Sequence, residues 1–92
     1  EVIRFEKRRQ RYQLGGCTIE LDEVPYLGCF AEIEGPGGKK VLAAREQLGL
    51  GDLPLIKSSY VAMLITYLED HHIASRNVTF ESALPSGRVA KA

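Results

Sequence analysis

The feature that most constrains the fold is a pair of tight-turn signals, Gly15-Gly16 and Pro25-Tyr26-Leu27-Gly28, which cut the N-terminal part of the chain into three short extended segments. Two adjacent glycines tolerate the positive φ of a two-residue hairpin turn, and proline followed by glycine fixes a second reversal. Val2 to Leu14, Cys17 to Val24 and Cys29 to Glu34 are therefore expected to be strands, and Gly35-Pro36-Gly37-Gly38 ends the last. Strands joined by turns this short pair antiparallel, so the segments form a meander.

Charge changes sign between these segments. Lys7, Arg8, Arg9 and Arg11 make the first basic, whereas Glu20, Asp22, Glu23, Glu32 and Glu34 make the next two acidic. Because side chains alternate between the faces of a strand, Lys7, Arg9 and Arg11 share one face, Glu20 and Asp22 another, and Glu32 and Glu34 a third. Cations at alternate positions can clamp phosphate oxygens, and carboxylates at alternate positions can hold a hard divalent cation bridging the same phosphates. The rows are thus candidates for a metal-dependent polyphosphate site lining one cavity. Taken alone they also fit a solvated strand face.

From Lys39 the period becomes helical. Val41, Leu42, Arg45 and Leu48 fall on one helix, with Gly49 placed to cap its C-terminus. A second helix is expected after Ser58 or Ser59, either able to cap it, with Val61, Leu64, Ile65 and Leu68 as its apolar stripe and Tyr60 and Tyr67 broadening it. This helix should pack against the sheet. Asn77-Val78-Thr79-Phe80 reads as a further strand, and Ser82 to Ala92 as a tail of small residues.

With 92 residues, 45% hydrophobic and 26% charged, the chain has the composition of one globular domain, not of a disordered segment. Twelve basic residues balance twelve acidic ones, so bulk charge gives no case for nucleic acid or for a membrane surface. No apolar run approaches the roughly 18 residues of a membrane span, and no secretory signal is present, so a cytoplasmic location is expected. Cys17 and Cys29 are read as buried free thiols, without neighbours at zinc-ligand spacing. His71-His72 are read as helix-end surface residues, and Asn77-Val78-Thr79 as a chance glycosylation sequon.

In order along the chain, Lys7-x-Arg9, Ile19-x-Leu21-Asp22-x-Val24, Leu27-Gly28-x-Phe30-x-Glu32-Ile33-Glu34, Leu48-Gly49-Leu50 and Ser59-Tyr60 resemble the C-terminal half of a CYTH domain. That family, the triphosphate tunnel metalloenzymes, includes class IV adenylate cyclases, thiamine triphosphatases and inorganic triphosphatases. The resemblance covers Val2 to Leu68 and implies an α+β fold: an antiparallel β meander forming half of a triphosphate tunnel barrel, with two helices packed outside. It divides the chain into residues 1–73, the half domain, and 74–92, a short strand and tail.

The resemblance also implies roles. Lys7 and Arg9 match the pair that contacts the triphosphate, Glu32 and Glu34 the pair that coordinates magnesium or manganese, and Asp22 an acidic residue facing the tunnel and the metal. Arg11 shares their parity but matches no family position. No catalytic side chain is implied, because fixed cations and a metal ion stabilise the charge of phosphoryl transfer without a protein nucleophile. The partner would be a triphosphate-bearing small molecule: ATP, thiamine triphosphate or tripolyphosphate.

The sequence departs from the family in having no E-x-E-x-K strand. The chain starts at Glu1, not methionine, and is expected to be processed or a piece of a longer protein. Either a missing first half or a second copy of the chain would complete the barrel. A triphosphate enzyme, as adenylate cyclase or triphosphatase, and a non-catalytic phosphate-binding or structural half domain both remain open. RNA binding by the arginine cluster is disfavoured by the adjacent acidic rows.

Overall fold

The computed structural model describes residues 2–83. Residues 84–92 of the expected tail lie outside the described residues. The element order is β1 (Arg4–Phe5), β2 (Arg8–Leu14), β3 (Cys17–Val24), β4 (Gly28–Glu34), α1 (Gly38–Gln47), α2 (Tyr60–Asp70) and β5 (Asn77–Val78). The class is α+β, as the turn signals and the change of period predict. Two compact units form: one holds residues 8–23 and 29–57, the other the described residues up to Lys7, Val24–Gly28 and those from Ser58 onward.

The first unit is built on the antiparallel sheet β2-β3-β4. Gly15 and Gly16 both take positive φ, 57° and 82°, so the two-residue turn places Leu14 opposite Cys17. Every other pair follows from that one. Counting outward, Tyr12 faces Ile19, Arg11 faces Glu20, Gln10 faces Leu21, Arg9 faces Asp22 and Arg8 faces Glu23. The alternation then sends Leu14, Cys17 and Ile19 to one face and Arg9, Arg11, Glu20 and Asp22 to the other.

On the apolar face, Cys17, Ile19 and Ala44 of α1 form a buried cluster against which Leu14, Ile33 and Val41 pack. Helix α1 therefore lies on the sheet. Its C-terminus is closed by a Schellman motif, in which Leu50 N–H donates to Arg45 C=O and Gly49 N–H to Glu46 C=O, with Gly49 at φ 74°. The predicted capping role of Gly49 is thus met one position beyond Leu48.

A ten-residue helix is about 15 Å long and cannot cover the whole face. Leu42 is exposed, and so is Cys29, a free thiol like Cys17, which corrects the expectation that both are buried. Beside α1 the uncovered part opens as a groove of about 1450 Å³, walled by Leu21, Ala31, Val41, Leu42, Leu53 and Leu55.

The second unit contains β1, β5 and α2. The extended segment expected from Val2 to Leu14 is broken at Glu6-Lys7, because its first part pairs elsewhere. β1 runs parallel to β5, with Arg4 opposite Asn77 and Phe5 opposite Val78. The Glu6 carboxylate accepts the Phe80 N–H at 2.8 Å, and with the donor that ends this ladder satisfied by a side chain, the strand stops there.

Ser59 caps α2 as predicted, its Oγ accepting the Ala62 N–H at 3.1 Å. Leu64 and Leu68 are the buried positions of α2, and Tyr60 meets Phe5 of β1 edge to face. Val61 is exposed, so the stripe turns from the expected one toward Tyr60 and Tyr67. At the far end His71 stacks on Tyr67 at 3.9 Å, Tyr67 stacks on Tyr26 at 4.7 Å, and the His71 Nδ1 lies 2.9 Å from the Tyr67 carbonyl. His72 then closes a second Schellman motif at φ 56°, a left-handed conformation disfavoured for a residue with a Cβ.

Two stability changes are expected. A Cβ on Gly35 would stand 2.6 Å from Cys17 Sγ and 3.3 Å from Val41 Cγ2 inside the buried cluster. Gly35→Ala should cost about 1–3 kcal/mol in urea unfolding, as overpacking does. His72→Gly should instead stabilise by about 1 kcal/mol and raise the thermal midpoint, by relieving the left-handed strain. No change on His72→Gly would show that other contacts offset it.

Candidate functional site

The candidate site is the polar face of the β2-β3-β4 sheet. The register that buries Cys17 and Ile19 on one side sets each basic residue of β2 directly across from an acidic residue of β3. Directly opposed side chains on one sheet face are within reach of each other. The three charged rows therefore meet as ion pairs.

Arg9 is the centre of the group. Its Nε and Nη2 donate to the two carboxylate oxygens of Asp22 at 2.7 and 2.8 Å, a bidentate fork. Its Nη1 lies 3.4 Å from Glu20 Oε1, and its Nη2 lies 3.8 Å from Glu32 Oε2 of β4. All three guanidinium nitrogens thus face carboxylates. Hydrogen bonding to Asp22 is the main cause that raises the pKa of Arg9 above its ordinary value. Partial desolvation lowers it, while the charges of Asp22, Glu20 and Glu32 add to the rise.

Glu20 joins Arg9 to its neighbour. Its Oε2 accepts from Arg11 Nε at 2.8 Å and from Arg11 Nη2 at 2.5 Å, while its Oε1 faces Arg9. The Asp22 side chain is fully buried and that of Glu20 nearly so, whereas the Arg11 side chain is 63% exposed. The carboxylates are therefore the fixed floor of the site and Arg11 its movable edge. At the rim of the sheet, on the other face, Arg8 pairs with Glu23 at 3.1 Å.

The sequence-derived candidates are distributed as follows. Arg9, Asp22 and Glu32 come together in this group. Glu34 is exposed at the end of β4. Lys7 belongs to the other unit, where its Nζ stands 6.0 Å from the centroid of the Tyr60 ring in a cation–π contact. Glu20 and Arg11, given no role or a minor one from motifs, turn out to be integral. The signal that finds them is the two-residue turn, because counting outward from Gly15-Gly16 pairs Arg11 with Glu20.

A magnesium or manganese ion needs several oxygen donors free to converge on it. The donor types are right for a hard cation, but among the described residues no three His, Cys, Asp or Glu side chains are gathered so as to hold a metal ion. The carboxylates surround guanidiniums instead. As folded, the group does not fit a resident ion.

A small α+β domain with one face of its sheet packed under a helix and the other lined by paired charges is the class that fold and site define. A family model, that of the CYTH domain, matches residues 1–60, and the chain belongs to the CYTH family. No curated protein and no solved structure matches it. The match takes in the whole charged sheet and α1. The family is one of triphosphate-binding tunnel folds that generally depend on divalent metal, while the described residues of this chain form an open three-stranded sheet and a two-stranded one, with no closed barrel among them. No helix among them is long and apolar enough to cross a membrane.

Because Glu32 touches Arg9 only at 3.8 Å from a half-exposed position, Glu32→Ala should leave the thermal midpoint unchanged within error. A drop of several degrees would show that Glu32 is a structural partner of Arg9, on a par with Asp22.

Proposed function

We propose that this domain binds the triphosphate group of a small molecule, with Arg9 as the principal phosphate contact. The observation that carries this reading is the bidentate fork of Arg9, held at the centre of the polar sheet face within the segment that matches the CYTH domain. A guanidinium fork suits phosphate oxygens as it suits a carboxylate, and fixed cations of this kind stabilise the charge that builds on transferred and departing oxygens in phosphoryl transfer. Lys7 is the second proposed phosphate ligand, on the strength of the Lys7-x-Arg9 motif.

Glu32 and Glu34 are the proposed ligands for a magnesium or manganese ion that arrives with the triphosphate, whose oxygens would supply further donors, and not for a resident ion. Asp22, the third candidate, has both oxygens engaged by Arg9. Phosphate contact by Arg9 does not depend on the ion. ATP, thiamine triphosphate and tripolyphosphate are the proposed substrates, cyclisation or hydrolysis the proposed reactions, and the cytoplasm the proposed location. The half-domain boundary near residue 73, completed by a missing first half or a second copy, belongs to the same reading.

A second reading, phosphate binding without turnover, is favoured by one observation. The acidic residues of the face are gathered around arginines, and no metal-holding group is found among the described residues.

Titration calorimetry with tripolyphosphate, with and without magnesium or manganese, tests the binding. Wild type should bind saturably, and Arg9→Ala should weaken binding at least tenfold, its folding checked by circular dichroism because the substitution leaves the buried Asp22 carboxylate unpaired. Equal binding by a folded Arg9→Ala would remove Arg9 from the site. Release of phosphate, or formation of a cyclic nucleotide, from any of the three substrates separates the enzymatic reading from the non-catalytic one.

A further inference from the structure

We infer that Asp22 and Glu20 act as internal anions that occupy the phosphate-binding forks of Arg9 and Arg11, so that an incoming polyphosphate must displace them. The inference deepens the proposed function and rests on it. It assigns these two carboxylates to gating the arginines, not to holding a resident metal ion.

Geometry is the first ground. A phosphate would approach Arg9 along the Nε–Nη2 edge, where two parallel hydrogen bonds form, and Asp22 already fills that edge at 2.7 and 2.8 Å. The remaining nitrogen of Arg9 is turned to Glu20 at 3.4 Å. Arg11 presents the same edge, Nε with Nη2, to a single oxygen of Glu20 at 2.8 and 2.5 Å. Neither fork is open in the folded chain. Of the two, Arg11 is the easier to release, since its side chain is 63% exposed and held at one carboxylate only.

Charge is the second ground. Within the ion-paired group, two guanidiniums, Arg9 and Arg11, meet three carboxylates, Glu20, Asp22 and Glu32, leaving one net negative charge, to which Glu34 adds on the same face. Such a face does not attract a polyanion at a distance. Binding must follow from exchange of ion-pair partners at contact. The carboxylates cannot swing away to make room, because the Asp22 side chain is fully buried and that of Glu20 is 11% exposed. The arginines are the groups that move, and each keeps part of its carboxylate contact or gives it up to the ligand. Neutralising a carboxylate removes the competitor and the repulsion together while keeping the shape of the floor.

The test is titration of tripolyphosphate into metal-free wild type, Glu20→Gln and Asp22→Asn, each checked for folding, followed by the same titrations with magnesium and by manganese alone. Glu20→Gln should bind metal-free tripolyphosphate about fivefold more tightly than wild type, the range expected for removing a partly exposed ion pair. Asp22→Asn should show a gain at least as large. Manganese alone should bind neither wild type nor the variants at these positions. Should Asp22→Asn fail to fold, Glu20→Gln decides.

Unchanged or weaker binding by the folded variants, while wild type still binds tripolyphosphate, would overturn this inference and leave the phosphate-binding reading intact. Saturable binding of manganese alone to wild type, lost in Asp22→Asn, would overturn it in favour of a resident metal site. No binding of tripolyphosphate by any of the three proteins, with or without magnesium, would overturn both.

Discussion

The register of one hairpin governs the rest of the first unit. Gly15 and Gly16 adopt positive φ, the turn closes in two residues, and Leu14 falls opposite Cys17. A slip by one residue would either turn Cys17 and Ile19 to the polar side or bring Arg9 and Arg11 against α1, with uncompensated charge under the helix. Burial of the Cys17–Ile19–Ala44 cluster and pairing of Arg9 with Asp22 thus enforce the same register from opposite faces of the sheet. Apolar burial supplies the driving force. The ion pairs supply specificity, since a wrong register leaves buried Asp22 without its guanidinium.

That shared constraint explains why structure and site are hard to separate in this chain. The carboxylates that position the arginines are themselves fixed by the strand that carries the core. Asp22 sits between Leu21 and Glu23 on a strand whose Cys17 and Ile19 are buried, so its side chain is rigid in a way that a loop carboxylate is not. Arg9 inherits that rigidity through two short hydrogen bonds, whereas Arg11, held at a single oxygen and exposed, does not. The two arginines are thus unequal, Arg9 held at both oxygens of a buried carboxylate and Arg11 more readily released.

Much of this was legible in the residues. The turns, the three strands of the meander, both helices, the Ser59 cap and the Gly49 stop follow from local chemistry that tertiary contacts did not override. The charge rows and their parity were legible too, including Arg9, Asp22 and Glu32 as residues that meet. Hidden from motif reading was the choice of partner. Alternation says which side chains share a face, not that Asp22 would spend both oxygens on Arg9, and the importance of Glu20 emerges only when the strands are laid side by side. The break at Glu6-Lys7 was hidden for a similar reason, since it depends on a strand some seventy residues later, Asn77–Val78, that captures Arg4–Phe5 in parallel. Exposure of Cys29 depends on the length of α1, which covers only one end of an apolar face whose pattern alone predicts burial throughout.

In the proposed site, the arginines of this sheet face exchange carboxylate partners for phosphate. The most direct measurement is the nitrogen-15 spectrum of the arginine side chains, following the Nε–H signals of Arg9 and Arg11 as tripolyphosphate is added. Both signals should move saturably with one midpoint, Arg11 by the larger amount because it leaves its partner more completely. Signals that stay fixed while other groups in the chain respond would contradict it, and would show that the Arg9–Asp22 and Arg11–Glu20 pairs are structural struts and not a phosphate site.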